Sequence, residues 1–172
     1  MKSIVKYSII LMVIAMLLFF IHSIIKKTEH KKIVAQNIKS IPEFCIYNVD
    51  ETEFCSKYIS QESSCLFVFF NPDCDHCKYE AEQITVNIES FRNHQIFFIS
   101  SSSVNDIKEF AIRYFLNDYD NIKFLCDKDY VVQNLMGVNL IPSSYIYNSS
   151  HHLVKSFRGE VKIEALIKYL KM

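Results

Sequence analysis

Two cysteines separated by two residues, Cys74-Asp75-His76-Cys77, carry the clearest chemical potential in this chain. Thiols at this spacing can close or open a disulfide within one helical turn, moving two electrons. The pair directly follows the apolar run Cys65–Phe70 (CLFVFF) and opens a segment with helical spacing. A helix N-terminus offers free N–H groups and about half a positive charge, which stabilises a thiolate. Cys74 is then the outer, attacking thiol and Cys77 the inner, resolving one. His76 as an imidazolium favours the Cys74 thiolate, while Asp73 and Asp75 oppose it; the net sign of their effect on the potential stays open. Half a zinc site is the competing reading, but structural zinc needs a second ligand pair. Cys45, Cys55, Cys65 and Cys126 are singletons, and no second CxxC or HxxxH occurs. We therefore expect a redox dithiol, assign no metal ligand and require no cofactor beyond the Cys74–Cys77 disulfide.

The elements that must hold this pair alternate in period. Phe44–Tyr47, Cys65–Phe70, Gln95–Ser100 and part of Asn121–Cys126 read as strands, the continuous apolar runs as strands buried on both faces. Residues 75–90 place Cys77, Ala81, Ile84 and Ile88 at helical spacing, with Phe91 just beyond. Val104–Leu116 is amphipathic, with Ile107, Phe110, Ala111, Tyr114 and Phe115 on one side. Asp129–Met136 reads as a short helix with Gly137 as its C-cap. Ser144–Tyr147 and Leu153–Phe157 flank a polar loop and read as a hairpin, with His151 and His152 at its solvated tip; Ile163–Leu170 closes as a helix. Alternating strands and helices followed by a hairpin and a helix imply an α/β sheet with helices on both faces.

Composition narrows the function. The 172 residues contain two glycines, Gly137 and Gly159, too far apart for a Walker loop or a GxGxxG turn. Zero formal net charge leaves no electrostatic footprint for nucleic acid. That zero is a sum of opposites. The first 32 residues hold six Lys and one Glu, whereas the remainder holds 13 basic and 18 acidic residues, a net of −5. Tyr7–Ile25 carries no formal charge over 19 residues and ends without a small-residue cleavage pattern. We read residues 1–27 as an uncleaved signal anchor, 28–40 as a tether or short leading helix, and 41–172 as one domain. The lysines after the apolar segment outnumber those before it, which mildly favours a cytoplasmic domain. The cysteine chemistry argues for the opposite side.

The stretch LFVFFNPDCDHCKYE resembles the active-site segment of thioredoxin-like proteins, and is most similar to the membrane-anchored TlpA/ResA-like thiol-disulfide oxidoreductases of the bacterial envelope. Downstream, FLCDKDYVVQNLMGVNLIPSSYIYN resembles that family's stretch running through a helix to an Ile-Pro strand. The resemblance implies a thioredoxin-like fold over residues 42–170 and a cis Ile141–Pro142 bond beside the dithiol, where a substrate segment docks in a strand-like manner. It implies a proton-handling role for Glu80, three residues after Cys77; the alternative is a solvated helix Glu like Glu82. Four positions depart from the pattern. Asp73 replaces the usual Trp, Asp75-His76 replaces Gly-Pro, and Glu82 stands where a helix proline is common.

The leading expectation is a thiol-disulfide oxidoreductase anchored on the outer, periplasmic face of the cytoplasmic membrane. It would reduce protein disulfides, among them the haem-site cysteines of apocytochrome c, and be recharged by a membrane-embedded thiol donor. A thiol peroxidase is the alternative enzyme. Peroxidases of the related fold carry Thr or Ser three residues before the reactive Cys, where this chain has Asn71. A non-catalytic module binding a metal or a partner through CxxC is the third reading. Cys55 and Cys65 flank a polar loop and could bridge in an oxidising compartment, while Cys45, Cys65 and Cys126 otherwise suit a core.

Overall fold

The computed structural model describes residues 2–172, apart from the side chains of residues 2–6, 8–10, 13–15 and 30. The chain forms two units, residues 1–36 and 37–172. In the first, helix α1 spans Lys2–Asn37, so residues 28–37 continue the helix. They contain neither Gly nor Pro to stop it. Six side chains of the apolar Tyr7–Ile25 stretch lie outside the described residues. Among the described residues, no helix is long and apolar enough to cross a membrane.

The second unit is a seven-stranded mixed sheet in the order β2-β1-β5-β4-β3-β6-β7. Its strands are β1 (Cys45–Asn48), β2 (Glu53–Cys55), β3 (Cys65–Phe69), β4 (Gln95–Ser100), β5 (Ile122–Cys126), β6 (Ser143–Tyr147) and β7 (Leu153–Arg158). β3, β4 and β5 are parallel, and the remaining pairings are antiparallel. Helices α2 (Asp75–Val86), α3 (Val104–Arg113), α4 (Val131–Met136) and α5 (Ile163–Leu170) complete the unit.

Side-chain alternation along β3 explains its unbroken apolar run. Leu66 and Val68 join the core shared with α2, α3 and α5, while Cys65, Phe67 and Phe69 join the core on the α4 side. β4 repeats this, with Ile96 and Phe98 on the first side and Phe97 and Ile99 on the second. Aromatic rings fill the first core near the dithiol: Phe70 lies 4.6 Å from Phe110, and Phe98 stacks on Phe124 at 4.8 Å.

The structure corrects several sequence expectations. β2 was not expected; at three residues it is too short to show a period. Helix α2 stops at Val86 and a separate 3-10 turn covers Ile88–Ser90. α3 ends at Arg113, and Phe115 turns out to solvent with φ +54°, leaving Leu116 to fill the core. α4 starts at Val131 because Tyr130 adopts a left-handed conformation, while Gly137 caps its end at φ +65° as expected. The hairpin forms, but its tip is not free. His152 bridges Ser40, and the Ile41 N–H donates to the His151 carbonyl.

The disulfide also differs from expectation. Cys55 pairs with Cys45, not Cys65. Cys45 and Cys55 are register partners across β1 and β2, with Cα atoms 4.0 Å apart. Cys65 points into the α4-side core with no exposure, and burial lifts its thiol to about 12. Cys45 is exposed, so it is not the core residue its apolar neighbours suggested. Cys126 is buried at the end of β5, in keeping with a core role.

Candidate active site

The dithiol occupies the turn between β3 and α2. Asn71 shapes this turn: its side chain accepts from the Asp73 N–H at 2.8 Å, and its carbonyl accepts from the Cys74 N–H at 3.1 Å. Cys74 is the N-cap residue of α2, in an extended conformation, and its carbonyl accepts from the N–H groups of Cys77 and Lys78 at 3.0 Å each. This gives the two sulfurs different environments. Cys74 is half-buried, whereas Cys77 is 2% exposed and packs into the core. Both are free thiols. Burial pushes the Cys77 thiol well above its ordinary range, and its contact with Cys74 and the nearby Glu80 carboxyl push the same way.

Glu80 lies one helical turn beyond Cys77, on the same side of α2. It is 2% exposed, so the solvated reading of this residue does not hold. Its Oε1 accepts from the Ser144 hydroxyl at 2.8 Å, while Oε2 has no hydrogen-bond partner among the described residues. Burial raises its carboxyl to about 7; the Ser144 bond acts downward and the charge of Glu160 upward. Ser144 was not singled out from the sequence. Its only signal is its place in the Ser143-Ser144 pair between Pro142 and the apolar run Tyr145–Tyr147, and nothing in the sequence separates it from Ser143.

The Ile141–Pro142 peptide is cis. Ser143 pairs with Phe69 at the end of β3, which sets Pro142 just past the strand end from which the dithiol follows. The Pro142 carbonyl accepts from the Gly159 N–H at 2.8 Å, and Gly159 has φ +83°, a region that favours glycine. Ile141 is half-buried and borders both cores. Asp75 is exposed, paired with Lys78 at 2.9 Å, and held below the ordinary carboxylate range by that bond. His76 is exposed, and its Nδ1 lies 2.6 Å from Glu160 Oε2. Thus the tertiary structure gathers Cys74, Cys77, Glu80, Asp75, His76, Ile141 and Pro142 at one end of the sheet, and adds Ser144 and Glu160.

Two other features lie apart from the dithiol. Among the described residues, Cys45, Glu53 and Cys55 group their potential metal-donor atoms within 4.8 Å, but both sulfurs are used in the disulfide. A cleft of about 560 Å³ lies beside α3 and β5, lined by residues including Lys108, Ile112, Tyr119 and Phe124, and contains neither Cys74 nor Cys77.

The AhpC/TSA family profile matches residues 38–156, a span that includes the dithiol and the cis proline. The chain belongs to the AhpC/TSA family. No curated protein matches it significantly. Among solved structures, it is similar to a secreted Mycobacterium tuberculosis disulfide oxidoreductase homologous to Escherichia coli DsbE, with 16% identity, TM-score 0.66, and coverage of 79% of this chain and 97% of that one. Peroxidoxin BcpB from M. tuberculosis gives 15% identity, TM-score 0.66, and coverage of 77% and 94%. StoA from Bacillus subtilis gives 14%, 0.60, and coverage of 76% and 98%. At these identities the likeness establishes the thioredoxin-like fold, and the fold is shared by oxidoreductases and peroxidases alike.

Proposed function

We propose that this protein is a membrane-anchored thiol-disulfide oxidoreductase that reduces protein disulfides outside the cytoplasm. The observation that carries the reading is the layered arrangement of an accessible Cys74 over a buried Cys77 and a buried Glu80. The Cys74 thiolate attacks a substrate disulfide, breaking its S–S bond and releasing one substrate sulfur as a thiol once protonated. Cys77 then passes its proton to Glu80 and attacks the Cys74 sulfur. The mixed disulfide breaks, the second substrate sulfur leaves and takes up that proton, and Cys74–Cys77 closes, oxidised by two electrons. A membrane-embedded thiol donor returns the pair to the dithiol state. Asp75 and His76 modulate the pair, and Ile141–Pro142 docks the substrate segment.

Tyr7–Ile25 is the proposed anchor, because 19 uncharged residues at about 1.5 Å rise approach the thickness of the hydrocarbon core. The Cys45–Cys55 disulfide supports an oxidising compartment. Apocytochrome c cysteines are one substrate class of this kind. The test is reduction of a disulfide-bonded protein by the reduced full chain in detergent. Activity lost in Cys74→Ala supports the proposal; peroxide consumption without disulfide reduction would replace it with the peroxidase reading.

A further inference from the structure

Ser144 is 1% exposed, and a buried hydroxyl is costly unless it is hydrogen-bonded. The alternation of β6 turns Ser144 and Ile146 towards the α2 side, and Tyr145 and Tyr147 towards α4. On that apolar side the Ser144 proton goes to Glu80 Oε1 at 2.8 Å. Two groups act on the Glu80 carboxyl, Ser144 on β6 and Glu160 in the loop between β7 and α5, and Glu80 in turn raises the thiol of Cys77, one turn earlier on α2. Among the described residues, only Ser144 gives that carboxyl a hydrogen bond.

We propose that Ser144 is a positioning residue for thiol exchange: its hydroxyl fixes Glu80 Oε1, leaves Oε2 as the oxygen that takes and returns a proton, and sets the pH at which it does so. The inference rests on Glu80 being the proton carrier for Cys77. The Ser144 O–H bond is neither broken nor formed, since the proton moves from the Cys77 sulfur to Glu80 and on to the departing substrate thiolate. The hydroxyl acts by stabilising the ionised carboxylate.

The experiment uses the full chain in detergent with carboxyl-labelled Glu, and Glu80→Gln to identify the Glu80 resonance. In Ser144→Ala the Glu80 titration midpoint should rise by about one pH unit, and the pH profile of disulfide reduction should move the same way, costing about tenfold in rate below the midpoint. Ser144→Thr and Ser144→Val are nearly isosteric, so they compare a hydroxyl with a methyl in matched shapes. Thr should hold the midpoint near that of the parent, and Val should raise it. An unchanged midpoint in Ser144→Ala, or identical midpoints in Thr and Val, would overturn the inference. A midpoint that moves while the rate profile stays fixed overturns Glu80 as proton carrier and leaves the Ser144–Glu80 coupling standing.

Discussion

His76 Nδ1 and Glu160 Oε2 lie 2.6 Å apart, joining the dipeptide between the two cysteines to the loop that leads into α5. Glu160 therefore faces two groups, since its charge also raises the Glu80 carboxyl. One exposed acidic residue thus touches the outer rim of the site and acts through its charge on the buried carboxyl.

Replacing Glu160 with Gln removes the charge that disfavours ionised Glu80. The Glu80 midpoint should fall, by well under about one pH unit, because Glu160 is 41% exposed and solvent screens its charge. Added salt should shrink the difference between Glu160→Gln and the parent. Carboxyl resonance titration at low and high ionic strength measures both effects.

Glu80 should also make stability depend on pH. Its ordinary value is 4.5 and its folded value is about 7. Between these values the folded chain retains a proton that the unfolded chain has released, so stability falls as pH rises across that window. The full effect is about 3 kcal/mol above pH 7, and Glu80→Gln should flatten this part of the curve. Denaturant midpoints measured from pH 4 to pH 8 provide the check.

Cys77→Ser should trap what the parent releases. With no inner thiol to attack the Cys74 sulfur, the mixed disulfide with a substrate protein should persist. Cys74→Ser should form no such adduct. Non-reducing electrophoresis and intact mass distinguish the two, and an adduct on Cys74→Ser would reverse the attacking and resolving assignments.

The Cys45–Cys55 bridge closes a short loop, with a sequence separation of 10. Replacing both cysteines with Ser should lower stability by about 2–3 kcal/mol through the greater freedom of the unfolded chain. Disulfide reduction by Cys74 and Cys77 should continue, since neither residue of the bridge belongs to the site. Chemical denaturation and turnover of the double variant test the two halves of this statement.

The sequence by itself determined the dithiol, its placement between a doubly buried strand and a helix, the Ile-Pro segment, and the alternation of strand and helix. These are local signals: a two-residue spacing, an apolar run, a 3.6-residue period and a glycine cap. Helix ends at Arg113 and Val131 escaped it because single left-handed residues, Phe115 and Tyr130, redirect the chain without a glycine to mark them. Only the tertiary structure decided which cysteines pair, because the β1–β2 register brings Cys45 opposite Cys55 while β3 turns Cys65 into the core. It also decided the state of Glu80. The sequence places that carboxyl one turn beyond Cys77, but its burial and its bond to Ser144, 64 residues away, arise when α2 packs on β6. Long-range packing removes water from the carboxyl and supplies the donor that replaces it, and neither event leaves a mark in local spacing.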